Sequence, residues 1–325
     1  MRIITLFLFF LSISTLTYSQ DDAPVTGSKT VDEVPKYDVS FNLSQLVYHI
    51  YRFTETTKVK RVFEDSTVNE YEKTVTHWFN VFVPSPVDEN GFLLVEVKTD
   101  SMEYKLASSD MNIYYTTTDY DMEMPLNYMD FFTSYVQYGQ NFNMLYSPYG
   151  DVSKVDGDQL ESEKRLYAKT HDEIKRNQIL YALSKDRLKF SFDVPKGIYP
   201  PFEVIKDTSW NSESEFFVCN VPFSGVLNNT FIGFSNNEYH INTKMDSLSL
   251  KGPIENVILP DLDKNCVITS GVATGEINTD LHTSGNVKYS RAKIKALLKG
   301  KVGNFKFNQV VETTYTWDLV GKFQY

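Results

Sequence analysis

Near the end of the chain, every second position is large and apolar: Tyr315, Trp317, Leu319, Phe323 and Tyr325, with Gly321 filling one place in the series. A period of two places one side-chain row on a buried face and the other on a solvated face, so these stretches must be strands and cannot be amphipathic helices. The same period recurs through Val47, His49, Tyr51 and Phe53, through Val75, His77, Phe79, Val81 and Val83, and through Phe217, Cys219, Val221 and Phe223. Glu64-Asp65-Ser66 and Asp88-Glu89-Asn90-Gly91 break the pattern as tight turns do. Strands joined by short turns pair antiparallel. The 21 Tyr and 23 Phe fit this reading, since aromatic residues favour strands. The expected fold is mainly β, with curved antiparallel sheets or a half-barrel. It divides into two β-rich halves, 37–156 and 188–325, bridged by a helical segment, 157–187.

Helical signals are confined to the middle. Pro125 suits a first helical position, with Met129, Phe132 and Val136 on one stripe and Gly139 as a stop. Farther on, Asp158 with Glu161 and Thr170 with Glu173 have capping spacing. Leu160, Tyr167, Ile174, Tyr181 and Leu188 recur every seven residues. The second apolar column of a coiled coil is replaced by Glu163, Thr170 and Asn177, so a surface helix lying on a sheet is expected. From Leu188 the period of two returns, and Phe190 and Phe192 read as strand.

Residues 1–19 have the form of a secretory signal, with Arg2, an apolar run over Ile3–Leu11, and small Thr17 and Ser19 before a cut at Gln20. The run is shorter than the roughly 20 residues of a spanning helix, and no later stretch suggests a transmembrane helix. Residues 20–36, punctuated by Pro24, Gly27 and Pro35, read as a flexible leader. The expected location is the periplasm, the outer-membrane surface or the extracellular space. A net charge of −10 argues against nucleic acid as a partner. Cys219 and Cys266 both sit in strand-like surroundings, compatible with one disulfide or with two buried thiols, and neither belongs to a CxxC pair.

The sequence holds no HExxH, GxSxG or Walker-type phosphate loop. Ser290-Arg291-Ala292-Lys293 has SxxK spacing but lacks its companion motifs. Asp119, Asp121 and Glu123 would share one face of a strand; they could hold adventitious calcium, act as glycosidase carboxylates, or form a solvated acidic face. Asp261, Asp263 and Asn265 begin like a calcium loop, but Cys266 stands where its glycine belongs and Val272 where its closing Glu belongs. We assign no catalytic residues, no metal and no cofactor. The candidate ligand-binding feature is a basic stripe, Arg291, Lys293, Lys295 and Lys299, on one face of a strand in a stretch with no acid between Asp280 and Glu312. Such a stripe suits anionic headgroups or acidic polysaccharide, or else a solvated face balanced by acidic neighbours.

The signal ending Tyr18-Ser19-Gln20, the run Ser147-Pro148-Tyr149-Gly150-Asp151-Val152-Ser153-Lys154-Val155-Asp156-Gly157, the step Asp207-Thr208-Ser209-Trp210 and the strand entry Ser284-Gly285-Asn286-Val287 resemble a family of secreted, β-rich bacterial envelope proteins. The resemblance implies export and a β-rich body, and assigns no activity and no functional residue. Together these readings lead us to expect a non-enzymatic envelope protein that holds an apolar or lipid ligand or serves as an interaction scaffold, with lipid or another envelope component as partner. The alternatives are an outer-membrane β-barrel and a glycan-active enzyme using carboxylates such as Asp119 and Asp121.

Overall fold

The computed structural model describes residues 34–192 and 197–324. The expected signal peptide, 1–19, and most of the leader, 20–36, lie outside the described residues.

Among the described residues there are thirteen strands and four short helices. In order they are β1 (Val47–Phe63), β2 (Val68–Phe82), β3 (Leu93–Ser108), β4 (Asn112–Thr116), α1 (Met129–Tyr135), β5 (Asn141–Tyr146), β6 (Val152–Asp156), α2 (Asp158–Tyr167), α3 (Glu173–Ala182) and α4 (Lys185–Phe190). There follow β7 (Ser209–Val218), β8 (Val221–Ser235), β9 (Glu238–Ser249), β10 (Ile254–Leu259), β11 (Lys264–His282), β12 (Val287–Val302) and β13 (Phe305–Gln324). All the strands belong to one antiparallel sheet, ordered β6-β5-β3-β2-β1-β13-β12-β11-β9-β8-β7, with β4 added to β3 and β10 to β11. The two β-rich stretches therefore share a single sheet, joined where β1 pairs with β13 from Val47↔Gln324 to Phe63↔Phe307. The path has two ends, β6 and β7, so the barrel alternative gives way to an open sheet.

The sequence alternation becomes an inner and an outer face. In β12, Ser290, Ala292, Ile294, Ala296 and Leu298 are buried, and the residues between them are exposed. In β13, Phe307, Val311, Tyr315 and Trp317 are buried in the same row. The sheet curls far enough for its distant parts to touch. The Tyr315 hydroxyl on β13 donates to the Phe217 carbonyl on β7, and the Tyr71 hydroxyl on β2 lies 3.8 Å from the Cys219 sulfur at the end of β7. β-Bulges at Ile50/Tyr51, Trp78/Phe79 and Ile268/Ser270 accompany this curvature.

The helices lie on the inner side and differ in detail from the sequence reading. The seven-residue series is split among three helices, so Leu160 and Leu188 are buried while Ile174 and Tyr181 are substantially exposed. Gly157, not Asp158, occupies the N-cap of α2, and Asp158 lies inside the first turn, where its charge suits the helix dipole. α3 is capped by Asp172, whose carboxylate accepts the Lys175 amide at 3.0 Å, rather than by Thr170. Pro125 precedes α1 in a turn. Phe190 ends a helix instead of opening a strand: Ser184 caps α4 by accepting the Arg187 amide, and Phe190 turns edge-on to Phe53, Phe217 and Tyr315. That aromatic contact, made across the fold, overrides the local alternation. No helix among the described residues is long and apolar enough to cross a membrane.

Candidate functional site: an internal cavity

Between the inner face of the sheet and α1, α3 and α4 lies a cavity of about 370 Å³. Phe53, Val75, Ala182, Pro222, Ile254 and Val257 supply apolar wall. Charged and polar side chains share that wall with them, among them Glu55, Lys73, His77, Gln178 and Arg187.

Glu55, Lys73 and Arg187 each have a partner, while Glu255, the fourth charge in the wall, is exposed. The Lys73 ammonium donates to both oxygens of Asp130, in the first turn of α1, at 3.1 and 3.2 Å, and the Tyr104 hydroxyl donates to the same carboxylate at 2.7 Å. Burial works against the Lys73 charge, but Asp130 and Glu55 outweigh it and hold the amine above its ordinary range. Glu55 accepts from Thr57 at 3.3 Å and faces the Arg187 guanidinium at 3.5 Å. Arg187 also lies over the rings of Phe190 and Phe217. The wall thus carries two matched ion pairs, the arrangement that makes buried charge tolerable.

Two buried side chains in the wall each carry one polar atom without a hydrogen-bond partner. His77 is 4% exposed and its Nδ1 has no hydrogen-bond partner. Burial, with Arg187 nearby, pushes the imidazole pKa down to about 3, so the ring is neutral at any ordinary pH. Gln178 donates through Nε2 to Asn265 at 2.5 Å and to the Asn256 carbonyl at 3.3 Å, which fixes the amide's orientation and leaves its Oε1 without a partner. Beyond Ser191, which lines both spaces, lies a smaller void of about 50 Å³ walled by Leu43, Tyr51, Val81, Phe192 and Trp317.

The loop after β10 positions much of this wall. Asp261, Asp263 and Asn265, the residues that begin like a calcium loop, each take a protein donor instead. Asp261 receives Arg61 Nη1 of β1 at 2.9 and 2.7 Å. Asp263 receives the Met129 amide at the start of α1 at 3.1 Å. Asn265 receives Gln178 of α3. No group of three or more His, Cys, Asp or Glu among the described residues is arranged to hold a metal.

Other sequence candidates fall elsewhere. Arg291, Lys293, Lys295 and Lys299 lie exposed along the outer face of β12, as the strand reading expects. Lys295 pairs with Glu312 at 3.0 Å, and Lys293 lies opposite Glu276 in the ladder. The buried Ser290 and the exposed Lys293 are on opposite faces of β12, which separates the SxxK pair; the Ser290 hydroxyl bonds Thr279 at 2.8 Å. Asp119, Asp121 and Glu123 occupy an exposed loop, not a strand, with the Asp119 carboxylate accepting the Asp121 amide. Cys219 and Cys266 are both buried free thiols.

A relay missed by sequence reading joins Ser235 Oγ to His240 Nε2 at 2.8 Å and His240 Nδ1 to Asp280 at 2.7 Å. Its members come from β8, β9 and β11, so only strand pairing brings them together. His240 alternates with buried Ile241 and therefore faces outward. Acyl transfer also needs donors for an oxyanion and walls that hold a substrate, and an outward sheet face favours a structural relay.

The fold and cavity define an open, curled antiparallel sheet covered on its inner side by helices, with a space of small-molecule size between the two. No family model and no curated protein matches the sequence. Among solved structures, lipovitellin, described there for its lipid–protein interactions, aligns over 87% of this chain and 26% of its own, with 10% identity and a TM-score of 0.44. The chain thus spans about a quarter of that protein's length.

Proposed function

We propose that this protein holds one apolar or amphipathic, lipid-like molecule in the cavity beneath α3. The observation that carries the reading is the cavity itself: about 370 Å³ of space inside the curled sheet, walled by Phe53, Val75, Pro222, Ile254 and Val257. Binding sites for single small ligands are concave, mostly apolar and of this order of size, with a few placed polar groups. The aromatic void beyond Ser191 offers room in which an alkyl tail would end. In this reading the chain is exported by its N-terminal segment, works in the cell envelope, and meets anionic headgroups with Arg291, Lys293 and Lys299 on its outer face.

The test is direct. The purified full chain is extracted with organic solvent for mass spectrometry, and a parallel sample is titrated with Nile red. A co-purified lipid or saturable dye binding supports the reading. Ala182→Trp, which fills the cavity from α3, should weaken dye binding by about tenfold or more. A folded protein with neither extractable ligand nor saturable dye binding overturns it.

A further inference from the structure

We infer that one end of the outer sheet face, around Leu297 and Phe305, docks on an anionic phospholipid bilayer. The inference rests on the part of the proposed function that gives the outer face anionic headgroups, and it does not depend on the cavity.

The strand register assembles this surface. Val272 of β11, Leu297 of β12 and Val310 of β13 are direct ladder neighbours on the outer face. Val272 is 52% exposed and Leu297 53%. One row nearer the sheet end, Lys299 lies opposite Asn308, and Asn308 opposite Val62, which pairs with Val68. Both of those valines are exposed. The last row pairs Lys301 with Lys306, and Phe305, 62% exposed, opens β13 beside them. The outward row of a one-sided sheet is ordinarily polar. Here it is aliphatic across three strands, and Leu297 stands between Lys295 and Lys299 in its own strand.

Charge selects the occupant. The acids that reach this end are engaged: Glu312 by Lys295 at 3.0 Å, Glu70 by Lys60 at 2.7 Å, Glu64 by Lys306 at 3.5 Å, and Asp65 by the Thr67 amide at 2.9 Å. Lys299 and Lys301 have no acidic partner among the described residues. The surplus of positive charge is therefore local, in a chain whose net charge is −10. An anionic bilayer repels the rest of the molecule and attracts this end, which fixes the orientation of approach. A second copy of the chain suits the face less, because a two-fold contact would set Lys299 and Lys301 against their own copies. Exposed aliphatic and aromatic side chains interleaved with lysines match a bilayer interface, with the apolar groups below the headgroups and the ammonium groups among the phosphates.

The experiment is co-sedimentation of the full chain with phosphatidylcholine vesicles, with and without phosphatidylglycerol, at about 0.1 M salt. Binding should be about tenfold or more tighter to the anionic vesicles. Lys299→Gln/Lys301→Gln should bring the two compositions within about threefold. Leu297→Ser/Phe305→Ser should weaken binding to the anionic vesicles by about tenfold or more. All four side chains are exposed, so these variants should fold, as circular dichroism checks. Equal binding of the wild type to both compositions overturns the role of the lysines. Folded variants that bind like wild type place the contact elsewhere, the N-terminal segment included, and overturn the site. Arg291→Gln/Lys293→Gln acting as strongly as Lys299→Gln/Lys301→Gln overturns the assignment to this end. Retention on heparin without vesicle binding reveals a polyanion site and overturns the bilayer as partner. Each of these results leaves the cavity reading standing if Nile red still binds, whereas vesicle binding without dye binding defeats the cavity reading alone.

Discussion

Arg61→Met should be among the most damaging single substitutions in this protein. The Arg61 side chain is fully buried, and that of its partner Asp261 is 3% exposed. Nη1 donates to both Asp261 oxygens at 2.9 and 2.7 Å, Nε donates to Gln309 Oε1 at 2.8 Å, and the guanidinium lies between the rings of Phe307 and Tyr71. Methionine keeps much of the apolar stem but leaves Asp261 inside with only Asn69, at 3.3 Å, as a donor. Removing one member of a buried pair costs about 3–5 kcal/mol, most of it from the orphaned charge. Against a total stability of about 5–15 kcal/mol, that is a large share. In Arg61→Met/Asp261→Leu the orphaned charge disappears; Gln309 Oε1 loses its donor and the Asn69 amide its long 3.3 Å acceptor. An unsatisfied neutral acceptor costs about 1–3 kcal/mol, so the double variant should be more stable than the single one by about 2 kcal/mol. Urea unfolding followed by fluorescence of the buried Trp210 and Trp317 measures all the variants. A single variant within about 1 kcal/mol of wild type, or a double variant whose loss equals the sum of the two singles, would refute the assignment of cost to the stranded carboxylate.

Three other outcomes are expected. The His77 pKa falls from 6.5 to about 3 on folding, so between those values the unfolded chain binds the extra proton. Stability is therefore complete above that window and declines as the pH falls through it, by about 2 kcal/mol between pH 6 and pH 4; His77→Phe should flatten this slope in urea titrations at the two pH values. Burial raises the thiols of Cys219 and Cys266 to about 12, so iodoacetamide at pH 8 should label the native protein at least about a hundredfold more slowly than the urea-unfolded protein, and equal rates would contradict their burial. Gly285 has φ +87°, and a Cβ there would run into the Ser40 carbonyl; Gly285→Ala should cost about 2 kcal/mol and speed proteolysis within residues 37–43, and an unchanged melting temperature would count against that packing.

Much of the fold is legible from the period of two, because a half-buried strand writes its burial directly into the sequence. The rows at Val75–Val83 and Tyr315–Trp317, and the split of β12 into a lysine row and an aliphatic row, appear as read. The errors fall where nonlocal contacts decide. Phe190 and Phe192 alternate like strand residues, yet the Ser184 cap and the aromatic cluster around Tyr315 place Phe190 in a helix. The cavity left almost no local trace. Glu55, Lys73 and His77 lie on adjacent strands β1 and β2, but their partners Arg187 and Asp130 come from helices far along the chain. An acid or a lysine in an otherwise apolar strand row, as at Glu55 and Lys73, is the one signal available from sequence: such a residue must find a counter-charge inside.

The loop at Asp261–Asn265 links the buried ion pair to the shape of the cavity. Side-chain oxygens this closely spaced usually converge on one cation. Here they diverge: Asp261 binds β1 through Arg61, Asp263 binds the start of α1 through the Met129 amide, and Asn265 binds α3 through Gln178. Two of those three elements, β1 and α3, carry cavity-lining residues, and α1 adds Thr133 and Ser134. The loop therefore fixes the distance between the sheet and its helical cover, a separation that packing alone would tend to close. It also turns Gln178 so that its amide nitrogen is committed and its oxygen is left over. The contacts that tie the sheet to its helical cover are thus the ones that satisfy this loop's own side chains, so loss of the Arg61–Asp261 pair should loosen the cavity wall as well as lower stability.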